Sequence, residues 1–232
     1  MARFARVVVP DLPHHVTARG NRREPIFFED GDQGVYCDLL AEEVRRFGVE
    51  VWAYRLMPNH VHLILVPSRE DGLGRAVGEA HRRYSSFINA RMRWTGHLFQ
   101  GRYASVAMDE DHLIAAVRYV SLNPVRAGLV DRAEGWPWSS VGAHLAGEDD
   151  GLVVVRPVLD RVARFRDLIE DEPAAQTHDR ALQALRSAER TGRPLGAPAF
   201  VQDLERRLGR TLSPRGRGRK PAIPPGEPPA LF

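Results

Sequence analysis

Apolar residues recur with two different periods along roughly the first 145 residues of this 232-residue chain, and the switches between them mark its elements. Val7-Val8-Val9 and residues 14–19 read as extended segments, with Pro10 and Pro13 setting limits between them. Gly20-Asn21-Arg22-Arg23 then supplies a basic turn. Over residues 32–47, Val35, Leu39, Leu40 and Val44 fall at helical spacing among acids and arginines, and Gly48 provides the stop. Residues 49–57 alternate as a strand, Pro58-Asn59 makes a turn, and residues 60–66 run on as an apolar strand, which completes a hairpin. A second helix is predicted over residues 73–93, where Leu73, Ala76, Val77, Ala80, Tyr84, Phe87 and Ile88 share a stripe, and a further strand over residues 97–108. Asp109 caps a third helix with Glu110 and Asp111 in its first turn. That helix is expected to end by Ser121 or Leu122, because Pro124 disfavours helical geometry at Asn123.

Strand, helix, hairpin, helix and strand in this order match the split βαβ pattern of a ferredoxin-like α+β sandwich, an antiparallel sheet with helices on one face, here with an added helix. Composition shifts after Gly147, where Glu148-Asp149-Asp150-Gly151 reads as a solvated linker. The expected organisation is therefore one domain over residues 1–147, a small helical region over 148–210, and a basic disordered tail over 211–232. No internal repeat stands out.

Candidate chemistry begins with Met57-Pro58-Asn59-His60-Val61-His62. Alternation along a strand puts both imidazoles on one face, where they can hold a metal ion. On the third helix Asn123 lies one turn beyond Tyr119, so an amide oxygen and a phenol share a face. Leu113, Ile114, Val117 and Val120 form that helix's apolar stripe, and Tyr119 lies about 150° from its centre, off the core side. Tyr84, by contrast, sits on the apolar stripe of its own helix and reads as a core residue. Such histidine pairs often do no more than sit on a solvated face, and a zinc hydrolase built on the pair is an open alternative.

Three motifs taken together resemble those of single-tyrosine HUH transposases, most closely the REP-associated tyrosine transposases of bacteria. They are the histidine run above, Gly96-His97-Leu98-Phe99-Gln100-Gly101-Arg102-Tyr103, and Tyr119-Val120-Ser121-Leu122-Asn123-Pro124-Val125. His15-Val16-Thr17, Arg19-Gly20-Asn21 and Trp136-Pro137-Trp138-Ser139-Ser140 extend the similarity, which covers roughly residues 1–145. The resemblance implies an enzyme that cuts single-stranded DNA at hairpin-forming sites. It also implies that His60, His62 and Asn123 hold a divalent ion, magnesium or manganese in that family, and that Tyr119 forms a 5′-phosphotyrosine bond. Imidazoles by themselves suit zinc or nickel better than magnesium, and a ligand set without a carboxylate implies weak binding by the free protein. A DNA-binding regulator that keeps the scaffold without cleaving is the competing reading, and the presence of all four residues weighs against it.

Charge and composition add partners. The formal net charge is only +3, yet Lys220 is the single lysine among 33 basic residues, and arginine suits phosphate and base stacking. His15, Arg19, Arg22, Arg23 and Arg102 are the candidates for DNA contact in the first domain. Arg215, Arg217 and Arg219 form an Arg-Gly-Arg run that resembles an AT-hook with Gly218 in place of the usual proline. A homodimer is compatible with the resemblance. Cys37 is the only cysteine, which excludes disulfides within the chain. No stretch approaches the roughly 20 apolar residues that span a bilayer, and the chain's start lacks the apolar core of a leader, so a cytoplasmic protein without membrane attachment is expected.

Overall fold

The computed structural model describes residues 5–170 and 175–213, with side chains from residue 183 onward in the second stretch. β1 (His14–Arg19), β2 (Val49–Met57), β3 (His60–Pro67) and β4 (Ala104–Ala107) form one antiparallel sheet in the order β2-β3-β1-β4. α1 (Asp32–Phe47) carries the chain from β1 to β2, and α2 (Gly72–Met92) from β3 to β4. Each helix returns the chain two places across the sheet and leaves one antiparallel strand between. This is the ferredoxin-like arrangement that the order of periods predicts.

The sheet is buried on both faces. Val16, Leu56, Leu63 and Leu65 pack against Leu40 and Val44 of α1 and Val77 and Tyr84 of α2. On the opposite face Trp52, Ile64 and Val106 meet Leu113, Val117 and Val120 of α3 (Glu110–Arg126), together with Phe165, Ile169 and Leu185 from later in the chain. Those residues belong to α6 (Phe165–Glu170) and α7 (Ala175–Thr191), which follow the short α4 (Val141–Ala146) and α5 (Arg156–Leu159). α8 (Pro198–Leu208) closes the described chain by covering Val7 and Val9 with Leu204. A register shift between Val51 and Ala53 has the largest local consequence. It reverses the alternation of β2, so that Arg55 points toward α3 instead of α1.

Val7-Val8-Val9, read as extended, pairs with no strand among the described residues and is anchored by the burial of Val7 and Val9. Two expectations change. The strand expected over 97–108 shortens to β4, because Gly96 and Gly101 adopt positive φ values of 97° and 68° that interrupt extended geometry. Most informative is α3, which runs through Pro124 to Arg126. A proline there has no N–H for the carbonyl of Val120, and Arg55 Nη1 donates to that oxygen instead at 3.2 Å. The acidic run after Gly147 is exposed as expected, yet Asp150 also accepts from the Tyr54 hydroxyl and from the amides of Leu152 and Val153. The AT-hook-like run with Arg215, Arg217 and Arg219 lies outside the described residues.

α1 and α2 are tied by Asp32, whose side chain is 2% exposed. It accepts both terminal nitrogens of Arg91 at 2.6 and 2.8 Å and the amides of Phe28 and Glu29. Removing a buried carboxylate strands its partners, so Asp32→Ala should lower the unfolding free energy by about 3 kcal/mol in urea titrations. Two histidines are structural in the same sense. His14 donates from Nδ1 to the Leu12 carbonyl and accepts the Val9 amide at Nε2, while His81 bonds the Tyr36 hydroxyl and stacks on Phe99. Burial lowers His14 to about 4 and His81 to about 3, both below the unfolded value of 6.5. Between those limits the unfolded chain binds more protons. Stability is therefore complete above pH 6.5 and falls on acidification, by up to ~1.4 kcal/mol per pH unit for each group. The urea midpoint should drop steadily from pH 7 to pH 5, less steeply in His81→Phe, and a flat profile would contradict this assignment.

Candidate active site

Because β3 opens directly at the Pro58-Asn59 turn, His60 and His62 stand on the α3 face at the end of an inner strand, their rings 5.1 Å apart. Each ring is held at Nδ1. His60 Nδ1 lies 2.6 Å from Asn59 Oδ1, and His62 Nδ1 lies 2.8 Å from Nε2 of His15 on β1. Asn59 is itself fixed, since its Nδ2 donates to the Arg23 carbonyl at 2.9 Å. Burial, with smaller help from the Arg55 cation, lowers His15 and His60 each to about 3 and pushes His62 well below the usual imidazole range. All three rings are neutral near pH 7, as metal ligation by imidazole requires.

Tyr119 comes to the same place from α3. Its ring meets His62 edge-on at 5.4 Å and His15 at 6.2 Å. The expectation that this residue lies off the core is corrected: Tyr119 is 5% exposed. The helical stripe marks the side of α3 that meets the sheet, but α6 and α7 pack on its remaining flanks and enclose the tyrosine as well. Its neighbours are imidazoles and a guanidinium, since the Arg55 Cζ lies 6.0 Å from the phenol ring centroid. Asn123 follows one turn later and is half-buried; among the described residues no hydrogen bond joins its amide to either histidine.

Sequence reading missed two charged groups here. Arg55 is fully buried, and its Nε and Nη2 have no hydrogen-bond partner. Desolvation lowers it to about 9, against opposing pulls from Tyr119 and Glu189. An arginine inside the apolar run of β2 is a visible anomaly, but its direction depends on the bulge. Glu189 arrives from α7 with Oε1 3.4 Å from His15 Nδ1, within ion-pair reach but not aligned as a hydrogen bond. Burial raises its carboxyl to about 7, and the surrounding arginines pull it back. Nothing in the local sequence of α7 marks this residue.

Above the imidazoles opens a cavity of about 810 Å³, lined by His60, His62 and Glu189 and rimmed by Arg19, Arg23 and Arg190. Arg22 turns away into a second cavity of about 340 Å³ beside Trp94 and Phe28. Arg22 and Arg23 both have positive φ, 52° and 66°, in a turn held by Gly20. A Cβ at Gly20 would stand 2.1 Å from the Glu24 carbonyl oxygen, so no other residue fits there. Arg102 is exposed on the loop before β4. His15, grouped by sequence with these DNA-facing arginines, does not belong with them: it is fully buried behind His62, because β1 is an inner strand covered on this face.

Residues 8–123 match the family described as "Transposase IS200 like". No curated protein matches the chain. Among solved structures, one described as a REP-associated tyrosine transposase bound to a REP hairpin superposes with a TM-score of 0.55 at 20% identity, covering 66% of this chain and 89% of that one. A candidate transposase from Deinococcus radiodurans R1 aligns at 23% identity and a TM-score of 0.37, over 51% of this chain and 95% of that one. The first likeness supports the ferredoxin-like fold. No helix among the described residues is long and apolar enough to cross a membrane. The family match spans half of the chain and takes in both histidines, the tyrosine and the asparagine, and on that ground this protein belongs to the IS200-like transposases.

Proposed function

We propose that this chain cuts single-stranded DNA beside a hairpin, with Tyr119 as nucleophile and with His60, His62 and Asn123 holding a divalent cation, magnesium or manganese. The observation that carries this reading is the contact of Tyr119 with His62. Among the described residues it is the one phenol ring in ring contact with His62, and it also meets His15. The donor set fits a cation: both Nδ1 atoms are engaged in hydrogen bonds, which leaves Nε2 of each ring for ligation. Such an ion, when bound, offsets charge on the non-bridging phosphate oxygens and fixes the phosphorus for in-line attack.

The protein's own groups supply the rest. Tyr119 loses its proton and its oxygen bonds to phosphorus; the bond to the 3′ oxygen breaks, and that oxygen takes up a proton. The products are a 5′-phosphotyrosine and a free 3′-hydroxyl. Arg55, fully buried with its Cζ 6.0 Å from the centre of the phenol ring, places a positive charge on the side of the site where Tyr119 becomes anionic. Arg19, Arg23 and Arg190 at the cavity rim attract the backbone of the strand. Hairpin DNA is the substrate class because the structurally similar REP-associated protein is bound to one. Tyr119 and His62 meet within one chain, so this chemistry does not call on a second subunit.

Incubation with manganese and a panel of single-stranded hairpin oligonucleotides should give a covalent adduct on denaturing gels. Tyr119→Phe should give none, Tyr84→Phe should keep it, and His62→Ala should slow it by on the order of 100-fold. Adduct formation by Tyr119→Phe would refute the nucleophile. Hairpin binding by the wild type without any cleavage would instead mark a DNA-binding regulator.

A further inference from the structure

His15, His62 and Glu189 lie with ligand atoms within 4.8 Å of one another and form a candidate metal set by distance alone. The hydrogen-bond pattern argues for a different role. We infer that His15 and Glu189 are positioning residues that fix the tautomer of His62, so that its lone pair lies on Nε2, toward the cavity. This rests on the reading of His62 as a metal ligand.

The amide of Asn59 is oriented by its donation to the Arg23 carbonyl, so the atom it offers His60 is an oxygen, which can only accept. His60 therefore carries its proton on Nδ1 and its lone pair on Nε2. For His62 to present the same atom, its Nδ1 must donate, and the partner at 2.8 Å, His15 Nε2, must accept. With its Nε2 accepting, the His15 ring carries its proton on the other nitrogen, Nδ1. The group facing that nitrogen is the Glu189 carboxylate at 3.4 Å, and both atoms are buried without another partner.

Glu189, His15 and His62 thus stand in the order of the carboxylate–imidazole support common behind metal-binding histidines, with 3.4 Å separating the first two. Direct ligation by His15 is opposed by two facts. Its Nε2 is already at hydrogen-bond distance from His62, and His60, His62 and Glu189 line the cavity whereas His15 does not.

Long-range proton–nitrogen NMR of the metal-free protein at neutral pH reads the tautomer directly, and manganese titration reads its consequence. Wild-type His62 should be protonated on Nδ1. His15→Leu should lose that state and bind manganese about 10- to 100-fold more weakly. Glu189→Gln keeps an acceptor oxygen and should bind as the wild type does, whereas Glu189→Ala, on a helix at the cavity edge, should shift in the direction of His15→Leu. A wild-type His62 protonated on Nε2, or unchanged affinity in both His15→Leu and Glu189→Ala, overturns the relay. A loss in Glu189→Gln as complete as that in His62→Ala would make the carboxylate a ligand instead. The underlying metal reading fails separately, if His62→Ala binds manganese like the wild type.

Discussion

The hydrogen bond from Arg55 to the Val120 carbonyl ties α3 to the sheet beside the candidate active site. Pro124 leaves that carbonyl without a helical donor, and the bulge in β2 turns an arginine toward it. Neither feature suffices alone. A buried guanidinium without an acceptor would be costly, and so would a buried carbonyl without a donor. Together they fasten α3 to the sheet at the residue next to Tyr119, which fixes where the phenol meets the imidazoles.

The same arrangement sets the electrostatics. A guanidinium, lowered by burial to about 9 and still charged near pH 7, sits among three neutral rings, a phenol and a carboxyl. Arg55 disfavours protonation of the histidines and favours the anion at Glu189. A cation entering this space meets repulsion from the guanidinium, which the Glu189 carboxyl offsets. On the proposed function a DNA phosphate would add to that offset, a physical reason for cation and strand to arrive together.

The fold was legible because hydrophobic period reports secondary structure, and the strand–helix order restricts topology to few choices. The shared face of His60 and His62 was legible from side-chain alternation, whereas Tyr119 was singled out by the family resemblance together with its spacing to Asn123. Properties that depend on three-dimensional packing were not. A helical wheel places Tyr119 off the apolar stripe, yet helices from the far end of the chain bury it. Arg55 stands out as a charge in an apolar strand, but which way it faces follows from one inserted residue. His15 looks like a surface base beside Arg19 until the pairing of β1 puts it behind His62. Glu189 carries no local signal, because only tertiary folding brings α7 to the sheet.

Asn59 joins two things that sequence keeps apart. One end of its amide holds the imidazole of His60, and the other holds the backbone of Arg23 at the cavity rim. The amide is rigid and planar, so a displacement of the arginine turn is transmitted as a rotation of the ring. Arg22 and Arg23 are in left-handed geometry that stores roughly 1–3 kcal/mol apiece, a reserve available to a turn that changes shape under load. On the proposed function, a strand held at the rim and the ring of His60 would be coupled through this single side chain, so that grip on the DNA and the aim of the imidazole share one support.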